Sequence, residues 1–173
     1  FSSFLYASLW VICSGEYFLK KVHLVTKLCY FCIFEEFKNS IMPKEQIIQL
    51  PKILDVRGNL SFIEDNNHIP FKIKRVYWIY DVPGGEKRGG HAYQENQEFI
   101  VALSGSFDVI LDNGIERKTF SLNRSYYGLY VPNGIWREMG NFSTNSLALV
   151  LSSTNYDASD YIYDYQRFLN SVK

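Results

Sequence analysis

The chain is poor in cysteine, carries no excess of either charge and has no long apolar run. Only three of its 173 residues are cysteine, and Cys13, Cys29 and Cys32 all precede residue 42. A disulfide scaffold is thereby excluded for the rest of the chain, and a reducing, cytoplasmic setting is the expectation. Cys29 and Cys32 form one C-x-x-C, but a structural zinc needs four ligands and no second pair exists. Basic and acidic residues number 18 each, for a net charge of zero, so no basic stripe marks a nucleic-acid or anionic-membrane partner. The first uncharged run, Phe1 to Gly15, falls short of the roughly 20 residues of a membrane span. No positive charge precedes it, as a secretory signal would require.

What the chain has in quantity is aromatic: 13 Tyr and 13 Phe contribute to a 17% share. Such rings suit half-buried strand surfaces, and stack on sugars or bases where they line a cavity. The length fits one domain with a real core. Residues 1–41 are apolar and aromatic, lack arginine and do not begin with methionine, whereas Met42 opens a stretch of ordinary soluble character. The expectation is an upstream extension over 1–41 that stands outside the functional fold, and a functional domain over 42–173.

From Asn59 onward, β-favouring segments alternate with turn signals: LSFIE, FKIKRVYWIY, EFIVALSG, SFDVIL, RKTFSL, GLYVP and SLALVLSS. Short strands at this spacing predict a sandwich or small barrel. Asn113-Gly114 predicts a tight hairpin on the positive φ angles that such a pair tolerates. In IKRVYWIY, Ile73, Arg75, Tyr77 and Ile79 share one face and Lys74, Val76, Trp78 and Tyr80 the other, as on a strand that lines a cavity. Only the tail has helical spacing, with Tyr161, Tyr165, Phe168 and Leu169 on one side and Ser159 or Asp160 as cap.

Two motifs sharpen this. Gly85, His91, Tyr93, Glu98 and Gly105 have the spacing of the first cupin motif, with tyrosine in place of its second histidine. Pro132, Gly134, Arg137 and Asn141 match the second, with arginine in place of its histidine. Together they predict an all-β, double-stranded β-helix (jelly-roll) barrel of cupin type with a short C-terminal helix. Arginine has no lone pair to donate, and tyrosine must first lose a proton with a pKa near ~10, so no metal is expected. An imidazole, a phenol, a carboxylate and a guanidinium in one cavity are equipment for proton transfer beside a polarised oxygen.

IPFKIKRVYWIYDV, RGGHAY, LSGSFDVILDNG, SYYGLYVPNGIWREM and SSTNYDASDYIYDY, in that order from about Ile48 to Phe168, resemble the dTDP-4-dehydro-6-deoxyglucose 3,4-ketoisomerases of bacterial surface-polysaccharide pathways. The resemblance implies a metal- and cofactor-independent transfer of the ketone of a dTDP-linked 4-keto-6-deoxy sugar from C4 to C3, in a homodimer that exchanges an N-terminal strand. By matching position it implies His91 as the base, and Arg57, Tyr77, Arg88 and Arg137 as substrate contacts. Tyr93 stands where the family usually has a second histidine; on a strand it shares the His91 face, as an acid beside a base. Glu98, commonly glutamine in relatives, is expected to pair with Arg137 or stay protonated and is placed with the substrate contacts. Arg137 resembles the branch with gluco products and Arg57 the galacto branch, which leaves the stereochemistry open. The alternatives are a non-catalytic sugar-nucleotide-binding cupin and a 3,5-epimerase of the same substrate, with a metal-dependent oxygenase behind them.

Overall fold

The computed structural model describes residues 44–172; the expectations about residues 1–41, including the fate of Cys29 and Cys32, lie outside the described residues. In chain order the strands are β1 (Gln46–Gln49), β2 (Arg75–Ile79), β3 (Arg88–Tyr93), β4 (Glu98–Ser104), β5 (Phe107–Asp112), β6 (Arg117–Leu122), β7 (Tyr127–Val131), β8 (Trp136–Gly140), β9 (Leu147–Ser152) and β10 (Tyr161–Ile162), and an α-helix, α1 (Tyr165–Ser171), follows. They form two five-stranded sheets, ordered β1-β7-β4-β9-β2 and β10-β3-β8-β5-β6. All pairings are antiparallel. This is the expected jelly-roll barrel.

Three apolar clusters hold it. Ile100, Val109, Leu111, Leu129, Met139 and Val150 come from both sheets and fill the space between them. Phe99, Val101, Tyr130 and Leu151 point out of the first sheet, where Leu50, Ile69 and Phe71 of the preceding segments cover them. On the outside of the second sheet, Ala92 and Trp136 meet Ile162 and Phe168. β4 is thus buried on both faces, which explains why Glu98–Ala102 reads as a nearly unbroken apolar run rather than an alternation. Each fully buried Phe or Leu contributes about 1.5–3 kcal/mol.

Two local expectations change. The β5–β6 hairpin is present, with Asp112 opposite Arg117, but its loop has four residues and only Gly114 takes a positive φ, of 85°. The Asn113 side chain instead accepts hydrogen bonds from the backbone N–H groups of Ile115 and Glu116, which stabilises the longer turn. The C-terminal helix starts later than its spacing suggests. Tyr161 and Ile162 pair with Tyr93 and Ala92 on β3, and Asp160 accepts from the N–H groups of Glu95 and Asn96. Asp164, not Ser159 or Asp160, therefore caps α1 by accepting from Arg167 N–H.

Candidate active site

A cavity of about 430 Å3 opens between the two sheets at one end of the barrel. Its wall includes Arg75, Tyr77 and Ile79 of β2, Arg88, His91 and Tyr93 of β3, Arg137 of β8, and Tyr156 and Tyr161 near the C-terminus.

The Gly89-Gly90 pair explains how β3 serves this wall. Arg88 pairs with Met139, Gly89 with Glu138 and His91 with Arg137, so Gly90 is an extra residue without a partner. In a regular strand Arg88 and His91, three apart, would face opposite sides; the bulge reverses the parity and brings both to the cavity. Gly89 has a φ of 89° and Gly90 one of 78°, a region glycine enters without steric cost.

Inside, four side chains form a chain of contacts. The Tyr77 hydroxyl donates to Glu98 Oε1 at 2.6 Å. Glu98 Oε2 lies 2.9 Å from Arg137 Nε. Arg137 Nη2 is 3.1 Å from His91 Nε2, and Nη1 donates to Met139 Sδ at 2.9 Å. The Nε–Oε2 contact is close yet neither atom has a well-directed hydrogen bond, so it is a charge contact rather than a directional one. Arginine only donates. His91 Nε2 must therefore present its lone pair to the guanidinium, and its Nδ1–H is free for the backbone of Gly89.

His91 is surrounded by the rings of Tyr93, Tyr161 and Tyr163, with centroids 4.8, 5.0 and 6.0 Å away. Burial, and then the Arg137 charge, push its pKa down to about 3. The imidazole is neutral at physiological pH. Tyr93 moves the other way: burial first, and the Glu98 carboxylate second, hold its phenol well above the usual range. The pair is therefore a neutral base beside a protonated phenol.

Of the residues singled out from sequence, Tyr77, Arg88, His91, Tyr93 and Arg137 share this cavity. Two do not reach it. Glu98 is 1% exposed and lies behind the wall with Tyr77 and Arg137 on its oxygens. Arg57 is 87% exposed and its Nε and Nη2 bond the Asp55 carboxylate, each at 2.9 Å. It lies off the cavity wall of its own chain.

Sequence reasoning missed Arg75, Tyr156 and Tyr161. The Arg75 guanidinium lies 5.5 Å from the Tyr77 ring and 5.6 Å from the Tyr156 ring. Its buried Nε has no hydrogen-bond partner among the described residues, and its guanidinium adds a positive charge to the cavity wall. The signal for Arg75 was the alternation that puts it on the Tyr77 face; Tyr156 and Tyr161 carry no signal before the chain is folded.

Residues 43–173 match the family model described as FdtA: WxcM-like, C-terminal. The chain is 44% identical over 125 residues to a TDP-4-oxo-6-deoxy-alpha-D-glucose-3,4-oxoisomerase from Aneurinibacillus thermoaerophilus, covering 72% of this chain and 90% of that one. Among solved structures, the WlaRB TDP-quinovose 3,4-ketoisomerase from Campylobacter jejuni is 43% identical with a TM-score of 0.70, covering 73% of this chain and 97% of its own. QdtA, a sugar 3,4-ketoisomerase from Thermoanaerobacterium thermosaccharolyticum solved with TDP, is 36% identical with a TM-score of 0.73, at 75% and 94% coverage. With its barrel matched throughout by the family model and by relatives it spans almost whole, the chain belongs to the WxcM-like (FdtA) family of sugar 3,4-ketoisomerases.

Proposed function

We propose that this chain is a cytoplasmic isomerase that moves the keto group of TDP-4-keto-6-deoxyglucose from C4 to C3 through an enediolate. The observation that carries the reading is a neutral imidazole and a protonated phenol on one strand face, beside a buried guanidinium. QdtA, at 34% identity in its mutant form, has been solved with TDP-4-keto-6-deoxyglucose, which supports the choice of substrate.

In this reading His91 Nε2 takes the proton from C3, and the electron pair moves into a C3–C4 double bond while the C4 oxygen becomes an oxyanion. Arg137 faces that oxyanion, and Tyr93 protonates it. A proton returned to C4 and the O3 proton lost to the protein complete the reaction, so that one isomer becomes the other with no atom gained or lost. Arg137 must turn from the His91 lone pair toward the substrate before His91 can act. As negative charge grows on the C4 oxygen it offsets the guanidinium field that depresses His91, so the base strengthens as the transition state forms. Arg75 and Arg88 face the diphosphate as fixed positive charges.

Proton NMR in heavy water, with the full chain and this substrate, tests the proposal. Exchange at C3 with a new 3-keto product is expected. Exchange at C3 and C5 without ketone migration would assign the 3,5-epimerase, and binding without exchange would leave a sugar-nucleotide-binding cupin.

The homodimer is proposed with it. Ile53, Leu54, Val56 and Leu60 are more than half exposed on an arm closed by the Ile53–Leu60 bridge. β2 ends its sheet and leaves Trp78 and Tyr80 largely exposed. Two uncovered apolar strips on one barrel suit a second copy, and Arg57 stands on the arm that would be exchanged. Sedimentation at micromolar concentration should give twice the chain mass; a single-chain mass would remove this part of the reading.

A further inference from the structure

Glu98 is 1% exposed and Arg137 is 3% exposed, and how they meet is unusual for an ion pair kept for stability. Arginine binds carboxylate best with two parallel N–H groups of its fork. Here the fork turns away: Nη1 goes to Met139 Sδ and Nη2 to His91 Nε2, while only Nε faces Glu98, without a directed hydrogen bond. Buried pairs are in any case often no more stabilising than apolar residues of the same volume. The other Glu98 oxygen is fixed by the Tyr77 hydroxyl.

We infer that Glu98 is a positioning residue of the reaction: anchored by Tyr77, it holds the Arg137 guanidinium by its Nε so that Nη2 is presented to the cavity beside His91, and it balances that charge within reach of Tyr93. The inference rests on the isomerase reading for its kinetic part only. The titratable and charged groups around this pair are Tyr77 from β2, with Arg75 beside it, and His91 and Tyr93 from β3, with Tyr161 of β10 next to Tyr93. Glu98 raises the Tyr93 phenol, after burial, and Arg137 lowers it. Without the carboxylate the guanidinium acts alone on both phenols, and with its Nε no longer held the fork is not kept at the cavity where the oxyanion forms.

Glu98→Gln keeps shape and hydrogen-bonding capacity and removes the charge. The expected results are kcat lower by about 100-fold, as for loss of one preorganised electrostatic element, KM and TDP affinity within about 3-fold of the parent, and displaced ring chemical shifts of Tyr77 and Tyr93 at neutral pH, read by NMR of the ligand-free protein with labelled tyrosine. Glu98→Asp retains the charge with a shorter reach; its Tyr93 shift should stay near the parent position while kcat falls. Unchanged kcat and unchanged tyrosine shifts in Glu98→Gln overturn the inference, and so does a loss confined to KM. If that variant does not fold, unchanged kcat in Glu98→Asp overturns it. Parent protein inactive on this substrate would sink the isomerase reading alone, because the tyrosine shifts still report on Glu98.

Discussion

Replacing His91 by Asn should lower turnover of TDP-4-keto-6-deoxyglucose by about 10²–10⁴-fold, the range for a positioned general base, and leave TDP affinity within a few-fold. The two effects separate because His91 lies deep in the cavity against Tyr93 and Tyr161, while in the proposed reading the diphosphate meets Arg75 and Arg88 elsewhere on the wall. Loss of affinity together with turnover would make His91 a nucleotide contact instead of a base. The same variant should also change the response to acid. His91 has a pKa of about 3 in the native chain, against an ordinary value of 6.5. Between those values the unfolded chain binds a proton that the native one does not, so stability falls as pH drops below 6.5 and the loss is complete below about pH 3. Asparagine removes this contribution. From pH 7 to 4.5 the variant should lose less stability than the parent, by on the order of 2 kcal/mol, in urea melts at the two pH values. Parallel losses would mean that His91 is already charged in the native state.

Gly89→Ala should be the most damaging single-methyl change in the site. Its Cβ would stand 2.7 Å from the carbonyl oxygen of Arg137 and 3.3 Å from Glu138 Cα, on a residue with φ of 89°. Both obstacles are backbone and neither rotates away. A loss of about 2–4 kcal/mol is expected from the clash and the strained φ together. Turnover should fall with it, because the bulge that presents Arg88 and His91 to the cavity cannot keep its register. Gly90→Ala is the internal control. Nothing lies within 4 Å of its Cβ, so only the left-handed backbone contributes, about 1–2 kcal/mol. Thermal melts of the two variants measure the difference, and equal losses would show that the approach to β8 is not what requires glycine at 89.

The barrel was legible because both motifs place glycine and proline where strands must end, and the alternating segments between them leave few ways to close a sandwich. His91, Tyr93 and Arg137 were legible for the same reason: each sits at a fixed distance from such a turn. Glu98 shows where spacing stops. Its position in the motif places it on the inner face of β4, which is correct, but whether an inner side chain meets ligand or another side chain depends on what the other strands of both sheets bring. Here β2 brings Tyr77 and β8 brings Arg137. The tail misled for a related reason. Tyr161 fits a helical stripe with Tyr165 and Phe168, yet the open edge of β3 offers it ladder hydrogen bonds, and no pattern within the tail reveals that edge. Tyr156 and Tyr161 reach the cavity only through that pairing.

The contacts from Tyr77 to His91 begin in one sheet and end in the other: Tyr77 and Glu98 belong to β2 and β4, Arg137 and His91 to β8 and β3. They act as a rivet through the barrel. Separating the sheets at this end would leave a carboxylate and a guanidinium each without its counter-charge in a poorly hydrated gap, a far worse outcome than parting two apolar layers. The jaws of the sandwich therefore stay shut while the sugar nucleotide comes and goes. Traffic must then pass between the side chains that line the cavity and stand exposed, Tyr156 and Tyr80 among them, and not through a gap opened between the walls.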